Sequence, residues 1–217
     1  MKKKLIKNRN LKFYKLCKTV LDFLFSIFFL IAFLPIFIII SFLIKLSSRG
    51  PIFFLQERIG KNNIPFKCIK FRTMHPEAKD ILENLLMNDE KLKMEFEQNH
   101  KIKNDPRITT IGKFLRKTSL DELPQFINVL KNEMSIVGPR PIVNKEKKKY
   151  GNNLKKVLSV KPGITGLWQV SGRNNLTYKT RVKLDLNYTE NYSFLMDIRI
   201  LIRTIGVILF PLDRGAY

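Results

Sequence analysis

The longest hydrophobic run of the sequence lies near its N-terminus. Residues 23–44 are apolar, with only Ser26, Pro35 and Ser41 interrupting them. As a straight helix these 22 residues would extend roughly 33 Å, enough to cross a hydrocarbon core of about 30 Å. A secretory signal peptide is the alternative, but the run is too long for a typical signal core and no small-residue cleavage site follows. The pattern therefore predicts a membrane segment.

Basic residues flank this run on both sides. Eight Lys or Arg residues lie within residues 1–18, and Lys45 and Arg49 follow the run. Basic flanks favour the cytoplasmic side, so a spanning helix would put one flank outside, whereas a re-entrant helix would keep both inside. Pro35 lies in the middle, where it removes an intrahelical hydrogen bond and bends the helix. From the residues alone, both arrangements stay open.

The pattern after the membrane segment changes to strands and then to a helix. Residues 52–55 and 66–71 are predicted to form β-strands around a turn at residues 60–63. Apolar positions at three- and four-residue spacing then predict an amphipathic core helix over residues 76–97. A further helical or irregular stretch begins at Ile111.

A second apolar stretch, residues 194–210, lies near the C-terminus and carries Asp197, Arg199 and Arg203. Arg199 and Arg203 are four residues apart and share one helix face. Because these charges make a spanning helix costly, the pattern favours a helix lying in the membrane interface. A core helix of the soluble domain is the alternative.

The charge of the chain indicates an anionic partner. Lys and Arg total 40 against 18 Asp and Glu, a net charge of +22. Phosphorylated substrates, a membrane surface and nucleic acid all fit this balance, although scattered solvated lysines explain part of it. The two cysteines, Cys17 and Cys68, are expected to be reduced and unpaired, and with two histidines they offer no Cys/His metal cluster.

An Asp-Glu pair is the most informative polar feature. Ser119 and Glu122 have capping-box spacing, and a helix starting at residues 119–121 would place Asp121 and Glu122 at its N-terminus. An ionised aspartate beside phosphate-binding groups can attack phosphorus, and a neighbouring glutamate can hold a divalent cation. Taken alone, such a pair is more often plain helix capping.

Two Gly- and Pro-rich segments follow. Arg140 lies between Pro139 and Pro141, in a rigid turn suited to binding phosphate or simply to structure. Further on, Trp168 could stack on a base or anchor the core. Arg173, in a Gly-flanked turn, is another candidate phosphate ligand.

Together these motifs resemble the bacterial sugar transferase family, the monotopic polyprenyl-phosphate phosphoglycosyl transferases. The resemblance extends from about Cys17 to Tyr217, and its strength comes from the order and spacing of motifs that are individually weak. The matching segments are KFRTM at 70–74, TSLDELPQ at 118–125, VGPRP at 137–141, KPGITGLWQV at 161–170 and SGRN at 171–174.

The resemblance implies a small mixed α/β (α+β) domain with amphipathic interfacial helices and an N-terminal re-entrant membrane helix broken at Pro35. Residues 1–18 would form a basic arm, 19–46 the re-entrant helix, and 47–217 a catalytic domain on the cytoplasmic face of the bacterial inner membrane. Some members have serine before the proline. Here Leu34 takes that place, so a polar contribution to the break is missing.

The resemblance also implies a two-step reaction. Asp121 would attack the β-phosphorus of a UDP-sugar and release UMP, and undecaprenyl phosphate would then accept the phosphosugar. Asp121 and Glu122 would hold Mg²⁺. The implied substrate-binding residues are Arg72, Arg116, Arg140, Arg173, Asp185 and Asp197.

The remaining expectations concern substrate and partners. Residues 76–104 and the ending at 214–217 resemble galactose-1-phosphate transferases, although relatives using glucose or an acetamido sugar share the catalytic motifs. The chain is expected to be the minimal catalytic unit, to contact anionic membrane lipids and not nucleic acid, with a homo-oligomer left open. A basic, membrane-tethered adaptor without catalysis is the alternative of a different class.

Overall fold

The computed structural model describes residues 2–99, 102 and 104–209. Within these residues helices dominate and the strands form two small sheets, which agrees with the predicted mixed class. The longer helices are α1 (Lys2–Ala32), α2 (Leu34–Ser47), α3 (Ala78–Asn88), α4 (Glu90–Asn99), α5 (Thr110–Thr118), α9 (Tyr178–Asn191) and α10 (Phe194–Leu209). The shorter helices are α6 (Gln125–Leu130), α7 (Lys147–Tyr150) and α8 (Leu154–Val157), and the strands are β1 (Phe53–Ile59), β2 (Pro65–Phe71), β3 (Ser135–Val137) and β4 (Gly163–Thr165).

The first sheet confirms the predicted strand pair. β1 and β2 flank a short 3₁₀ turn, Lys61–Asn63, at the predicted place. Asn62 and Asn63 have φ angles of 57° and 66°, a left-handed conformation that asparagine tolerates. β1 extends to Ile59, beyond the predicted end at residue 55, and its last two residues, Arg58 and Ile59, are buried.

The single helix predicted over residues 76–97 is wrong in two respects. Asp89 has extended backbone angles and divides the segment into α3 and α4. The expected core position is also wrong for α3, none of whose residues is buried. Helical spacing identified the apolar stripe but not the depth to which it is covered.

The N-terminal apolar run forms two helices separated by a bend. Among the described residues, no single helix has both the length and the hydrophobicity to cross a membrane. The pair Phe13–Ala32 and Leu34–Ser47 meets these criteria together and is bent by 62°. The bend lies next to Pro35, which is in the first turn of α2.

The elements fall into two compact units. Within the described residues, the larger unit comprises residues 2–33, 55–69 and 124–209. The smaller unit comprises residues 34–54, 70–99, 102 and 104–123. Residues 210–217 lie outside the described residues, and so does His100. The predicted resemblance at residues 214–217 therefore lies outside the described residues.

The larger unit is built around the parallel pair β3 and β4, in which Ser135 is opposite Gly163 and Val137 is opposite Thr165. A Cβ atom on Gly163 would lie 2.1 Å from the Gly138 nitrogen, so only glycine permits this close approach. The apolar core of the larger unit consists of Phe66, Cys68, Phe126, Val129, Met134, Ile136, Val137, Tyr188 and Ile200. Cys17 and Cys68 are both free cysteines.

Buried polar groups connect the elements of this unit. The Asn128 side-chain oxygen accepts from the Ile69 amide at 2.9 Å, and its nitrogen donates to the Lys67 carbonyl at 2.8 Å. Asp22 of α1 accepts a 2.6 Å hydrogen bond from the Ser135 hydroxyl of β3. α1 is thus joined to the folded unit by a polar contact as well as by apolar packing.

The smaller unit has its own apolar cluster, formed by Ile40, Ile44, Phe71 and Leu115. The Thr109 hydroxyl caps α5 by accepting from the Gly112 amide at 3.0 Å. A Cβ on Gly112 would lie 2.0 Å from the Thr73 carbonyl oxygen. Glycine at this position therefore allows α5 to approach Thr73 closely.

Candidate active site

The Asp-Glu pair lies on a short 3₁₀ turn, Leu120–Glu122, between α5 and α6. The predicted helical start at residues 119–121 is confirmed only as this 3₁₀ turn, which begins at Leu120, whereas the predicted capping box is absent. Ser119 ends α5 in a left-handed conformation with φ 60° and makes no side-chain capping bond, while Pro124 is the N-cap of α6. The pair is thus held on a tight turn and not by a capping box.

Lys70 of β2 is a direct partner of Glu122. Its Nζ atom donates to Glu122 Oε1 at 2.6 Å, and both side chains are largely buried. Lys70 belongs to the 70–74 motif but was not predicted as a site residue. Its contact with a residue 52 positions away depends on tertiary packing.

Asp121 has an unusual electrostatic environment. Burial, followed by the neighbouring Glu122 carboxylate, raises the pKa of Asp121 to about 6. Lys70 and Arg116 act in the opposite direction and favour the ionised form. Asp121 is thus a poorly hydrated carboxylate that is still mostly ionised near neutral pH, which suits a nucleophile.

Arg116 approaches the pair from α5. Its Nε atom donates to the Thr73 hydroxyl at 3.0 Å, and burial lowers its pKa while Asp121 and Asp105 favour its charge. Among the described residues this is the hydrogen bond found for its guanidinium, so the terminal nitrogens can bind phosphate. Thr73 is a second residue that the sequence prediction missed.

Arg72 has a different set of contacts. Its guanidinium donates to the Ser48 carbonyl at 2.8 Å and to the Arg49 carbonyl at 3.2 Å, fixing the segment that follows α2. Gly50, with φ 129°, makes room for it, because a Cβ there would lie 2.1 Å from the guanidinium. Through these contacts Arg72 stabilises the chain after α2. Its predicted role in substrate binding stays a prediction.

Four of the predicted site residues, Asp121, Glu122, Arg72 and Arg116, belong to the smaller unit. The other four, Arg140, Arg173, Asp185 and Asp197, belong to the larger unit and are described with it.

Arg140 lies over the ring of Trp168, with its guanidinium carbon 5.8 Å from the ring centroid. Arg181 of α9 lies over the same ring, with its guanidinium carbon 4.8 Å from the ring centroid. None of the sequence motifs includes this residue. Trp168 is only 6% exposed, which fits the core-anchor interpretation better than base stacking. Arg173 is on a 3₁₀ turn at φ 48°.

The two predicted site aspartates of the larger unit, Asp185 and Asp197, are both buried. Asp185 accepts a 2.8 Å hydrogen bond from the Tyr150 hydroxyl, and burial outweighs this contact and raises the Asp185 pKa to about 7. Asp197 accepts from Tyr14 at 2.6 Å, from Lys18 at 2.7 Å and from Tyr188 at 2.8 Å. Its carboxylate therefore holds α1, α9 and α10 together.

The chemistry of the carboxylate pair is compatible with a magnesium ion that is also bound by the substrate. Mg²⁺ is usually bound by one or two carboxylates, with substrate phosphates and water completing six ligands. The described residues contain no group of three or more His, Cys, Asp or Glu side chains that could hold a metal. Within the pair, Glu122 already has a cation as its partner, the Lys70 ammonium at 2.6 Å.

A partly buried aspartate with a raised pKa, held among lysine and arginine, is typical of a functional site. The sequence profile of the family described as bacterial sugar transferase matches residues 13–211. The chain therefore belongs to the bacterial sugar transferase family.

Curated relatives agree with this family. An uncharacterized sugar transferase of Haemophilus influenzae is 48% identical over 195 residues, covering 90% of this chain and 41% of the relative. An undecaprenyl-phosphate galactose phosphotransferase of Salmonella typhimurium is 46% identical over 192 residues, covering 88% and 40%. The exopolysaccharide production protein ExoY of Sinorhizobium fredii is 44% identical over 196 residues, covering 90% and 86%. The chain thus spans about two fifths of the first two relatives.

Proposed function

We propose that this protein transfers a sugar-1-phosphate from a UDP-sugar to undecaprenyl phosphate, with Asp121 as the nucleophile. The observation that carries the proposal is the position of Asp121 on the turn Leu120–Glu122, next to a carboxylate that the Lys70 ammonium contacts at 2.6 Å. The charges of Lys70 and Arg116 favour the ionised form of Asp121 and so partly offset the rise of its pKa on burial. Membership of the sugar transferase family supports the same chemistry.

The reaction has two displacements at one phosphorus atom. A carboxylate oxygen of Asp121 attacks the β-phosphorus, the bond to the UMP oxygen breaks, and UMP leaves. A phosphate oxygen of undecaprenyl phosphate then attacks the aspartyl phosphosugar. The bond between Asp121 and phosphorus breaks, which releases the lipid diphosphosugar and restores the carboxylate.

Positive groups of the site assist both displacements. Arg116, whose terminal nitrogens have no hydrogen bond to the described residues, is proposed to bind the phosphate oxygens, while Thr73 fixes its orientation. Asp121 and Glu122 are proposed to hold Mg²⁺, which when bound disperses the charge of the diphosphate and its leaving group. Arg72, Arg140, Arg173, Asp185 and Asp197 stay predicted substrate-binding residues on the strength of the family resemblance.

The proposed donor is UDP-galactose, and the proposed role is the first membrane step of a surface polysaccharide such as O-antigen, exopolysaccharide or capsule. The relative from Salmonella typhimurium, a galactose phosphotransferase by name, supports this choice. Glucose and acetamido sugars remain the alternative donors, because the residues around the carboxylate pair act on the diphosphate and not on the sugar.

The bent helix pair is proposed to enter and leave the membrane on the cytoplasmic side, as a re-entrant helix broken beside Pro35. The 62° bend and the basic flanks support this arrangement. Leu34, Ile38, Ile39, Phe42 and Leu46 of α2 are 54–67% exposed, an apolar surface that lipid would cover. The boundaries at residues 18 and 46 remain part of this proposal.

The C-terminal helix α10 is proposed to lie in the membrane interface. Only Asp197 and Ile200 of this helix are buried, while Leu195, Ile202 and Ile205 are exposed. Arg199 and Arg203 are exposed as well. An apolar surface beside basic side chains favours anionic lipid over a protein core.

Labelling of single cysteines tests the membrane arrangement. In a variant without Cys17 and Cys68, Phe13→Cys and Arg49→Cys place one thiol on each side of the bent pair. A membrane-impermeant thiol reagent on intact cells should label neither, and both should react after permeabilisation. Labelling of one of them on intact cells would mean that the segment spans the membrane.

An assay of UMP release tests the proposed activity. The purified full chain, given UDP-galactose, Mg²⁺ and undecaprenyl phosphate, should release UMP and form the lipid diphosphosugar. A panel with UDP-glucose and UDP-acetamido sugars identifies the preferred donor. If no donor of the panel yields UMP, the membrane-tethered adaptor becomes the better account.

The acidic side of the pH profile should report the charge of Asp121. The value of kcat/KM for UMP release is expected to fall as the pH decreases through about 6, where Asp121 becomes protonated. Arg116→Gln removes a positive charge that lowers this pKa, so the fall should move to higher pH. Lys113→Gln, exposed on the same helix, is the matched control and should leave the position of the fall unchanged. Coinciding profiles for Arg116→Gln and the unchanged protein would contradict this assignment.

A further inference from the structure

The larger unit contains a pocket that is separate in sequence and composition from the carboxylate pair. Four lysines line it: Lys15 and Lys18 of α1, Lys61 of the β1–β2 turn, and Lys161 of the loop before β4. Its volume is about 90 Å³, several times what a single water molecule needs. The pocket therefore has room for a group of the size of a phosphate.

Only one of the four lysines of this pocket forms an ion pair among the described side chains. Lys18 is paired with Asp197 at 2.7 Å, and Lys161 donates to the Asn132 side chain. Among the described side chains, Lys15 and Lys61 have no carboxylate within ion-pair distance. The one acidic residue of the lining, Asp22, accepts a hydrogen bond from Ser135.

The lysines also affect one another. Burial lowers the pKa of Lys161, Asp22 partly offsets this effect, and the nearby charges of Lys61 and Lys18 lower the pKa further. Repulsion of this kind is relieved by an anion placed between the ammonium groups. The hydroxyls of Thr19, Ser135 and Ser159 also line the pocket, but they already donate to the Lys15 carbonyl, the Asp22 carboxylate and the Lys156 carbonyl. The ammonium groups are therefore the donors that a phosphate would use.

The position of the pocket along α1 indicates what could reach it. Lys18 lies five residues before Phe23, where the apolar run begins, and this separation is about 7.5 Å along a helix. The headgroup layer on each side of a bilayer is of similar thickness, about 5–8 Å. If α1 enters the membrane as proposed above, the lysines lie at the level of the lipid phosphates.

We propose that this lysine pocket, defined by Lys15, Lys18, Lys61 and Lys161, binds a phosphate group as a site distinct from the carboxylate pair. The phosphate belongs to an anionic lipid headgroup or to a soluble phosphate ester. The two sources share the chemistry that the pocket recognises. The position of the lysines at the level of the lipid phosphates rests on the proposed function. The binding of phosphate by the pocket does not depend on it.

Titration calorimetry of the full chain in a non-ionic detergent tests the pocket. The probes are dihexanoyl-phosphatidylglycerol, glycerol 3-phosphate, and dihexanoyl-phosphatidylcholine as a lipid without net charge. The first two should bind the unchanged protein more tightly than the third. Tighter binding of phosphatidylglycerol identifies a lipid headgroup as the source, and tighter binding of glycerol 3-phosphate identifies a soluble ester.

Substitutions then locate the site. Lys61→Gln and Lys15→Gln should each weaken binding of the tighter probe about tenfold, the scale of one lost charged hydrogen bond. Lys155→Gln, an exposed lysine of α8 outside the pocket, should change it less than about twofold. Circular dichroism verifies that all three variants keep their helices. Equal affinities in Lys61→Gln, Lys15→Gln and the unchanged protein would overturn the proposal.

The Asp121→Asn variant separates this inference from the proposed function. It should bind the probes as the unchanged protein does, even when it no longer releases UMP. Loss of probe binding in Asp121→Asn would mean that the phosphate binds at the carboxylate pair, and the lysine pocket would then be rejected. Loss of UMP release with unchanged probe binding concerns the catalytic account alone.

Discussion

Asp121→Asn is expected to lower kcat/KM for UMP release by a factor of about 10⁴ or more, the scale seen when a covalent nucleophile is removed. The amide has nearly the same shape as the carboxylate but carries no negative charge. It therefore cannot form the bond to phosphorus on which the first displacement depends. The measurement is the initial rate of UMP release at neutral pH with donor below saturation.

A matched control guards against a general loss of structure. Glu83→Gln removes one negative charge from an exposed position on α3 and should retain full activity. The accompanying exchange assay is more specific: without acceptor, the unchanged protein should incorporate labelled UMP into the UDP-sugar, and Asp121→Asn should not. If Asp121→Asn keeps more than about a tenth of the activity, Asp121 is not the nucleophile.

Glu122→Gln is expected to have the second largest effect. Loss of this carboxylate should lower kcat/KM about 100-fold and raise the Mg²⁺ concentration for half-maximal rate at least about tenfold. The variant also breaks the ion pair with Lys70, so the rate alone does not distinguish a metal ligand from an ion-pair partner. The Mg²⁺ titration makes that distinction.

Lys70→Met provides the comparison. It removes the same ion pair but leaves both carboxylates in place, and it frees Glu122 Oε1 from its ammonium partner. The Mg²⁺ requirement of Lys70→Met should therefore be no higher than that of the unchanged protein. An unaltered Mg²⁺ requirement in Glu122→Gln would show that Glu122 is not a metal ligand.

Local features were predicted well from the sequence. The strand pair β1 and β2, its turn, and the bend beside Pro35 follow from residues close to one another in the chain. Such features depend on backbone preferences and on short-range hydrophobic spacing, both of which can be inferred from a single sequence. The Asp-Glu pair was found because its neighbours form a recognisable motif.

Long-range contacts and backbone exceptions were not predicted. The helix expected at residues 119–121 begins as a 3₁₀ turn, and its N-cap, Ser119, adopts a left-handed conformation, which few residues other than glycine and asparagine do readily. Asp197 receives hydrogen bonds from Tyr14, 183 residues away, and from Lys18, 179 residues away. No local pattern contains these pairings, because tertiary packing alone brings the residues together.

In the candidate site, too, local features were predictable and long-range contacts were not. Motif positions identified Asp121, Glu122 and Arg116, whereas the contacts of Lys70 and Thr73 required the folded chain. Arg181 lies on α9 outside every motif and became visible only through its position over Trp168.

Intact-protein mass spectrometry of a quenched reaction tests the central claim most directly. With UDP-sugar and Mg²⁺ but no lipid acceptor, the protein should gain the mass of one phosphosugar, and peptide mapping should locate the adduct on Asp121. Addition of undecaprenyl phosphate should remove that mass. Product formation without any adduct on Asp121, in a reaction sampled before completion, would contradict the account.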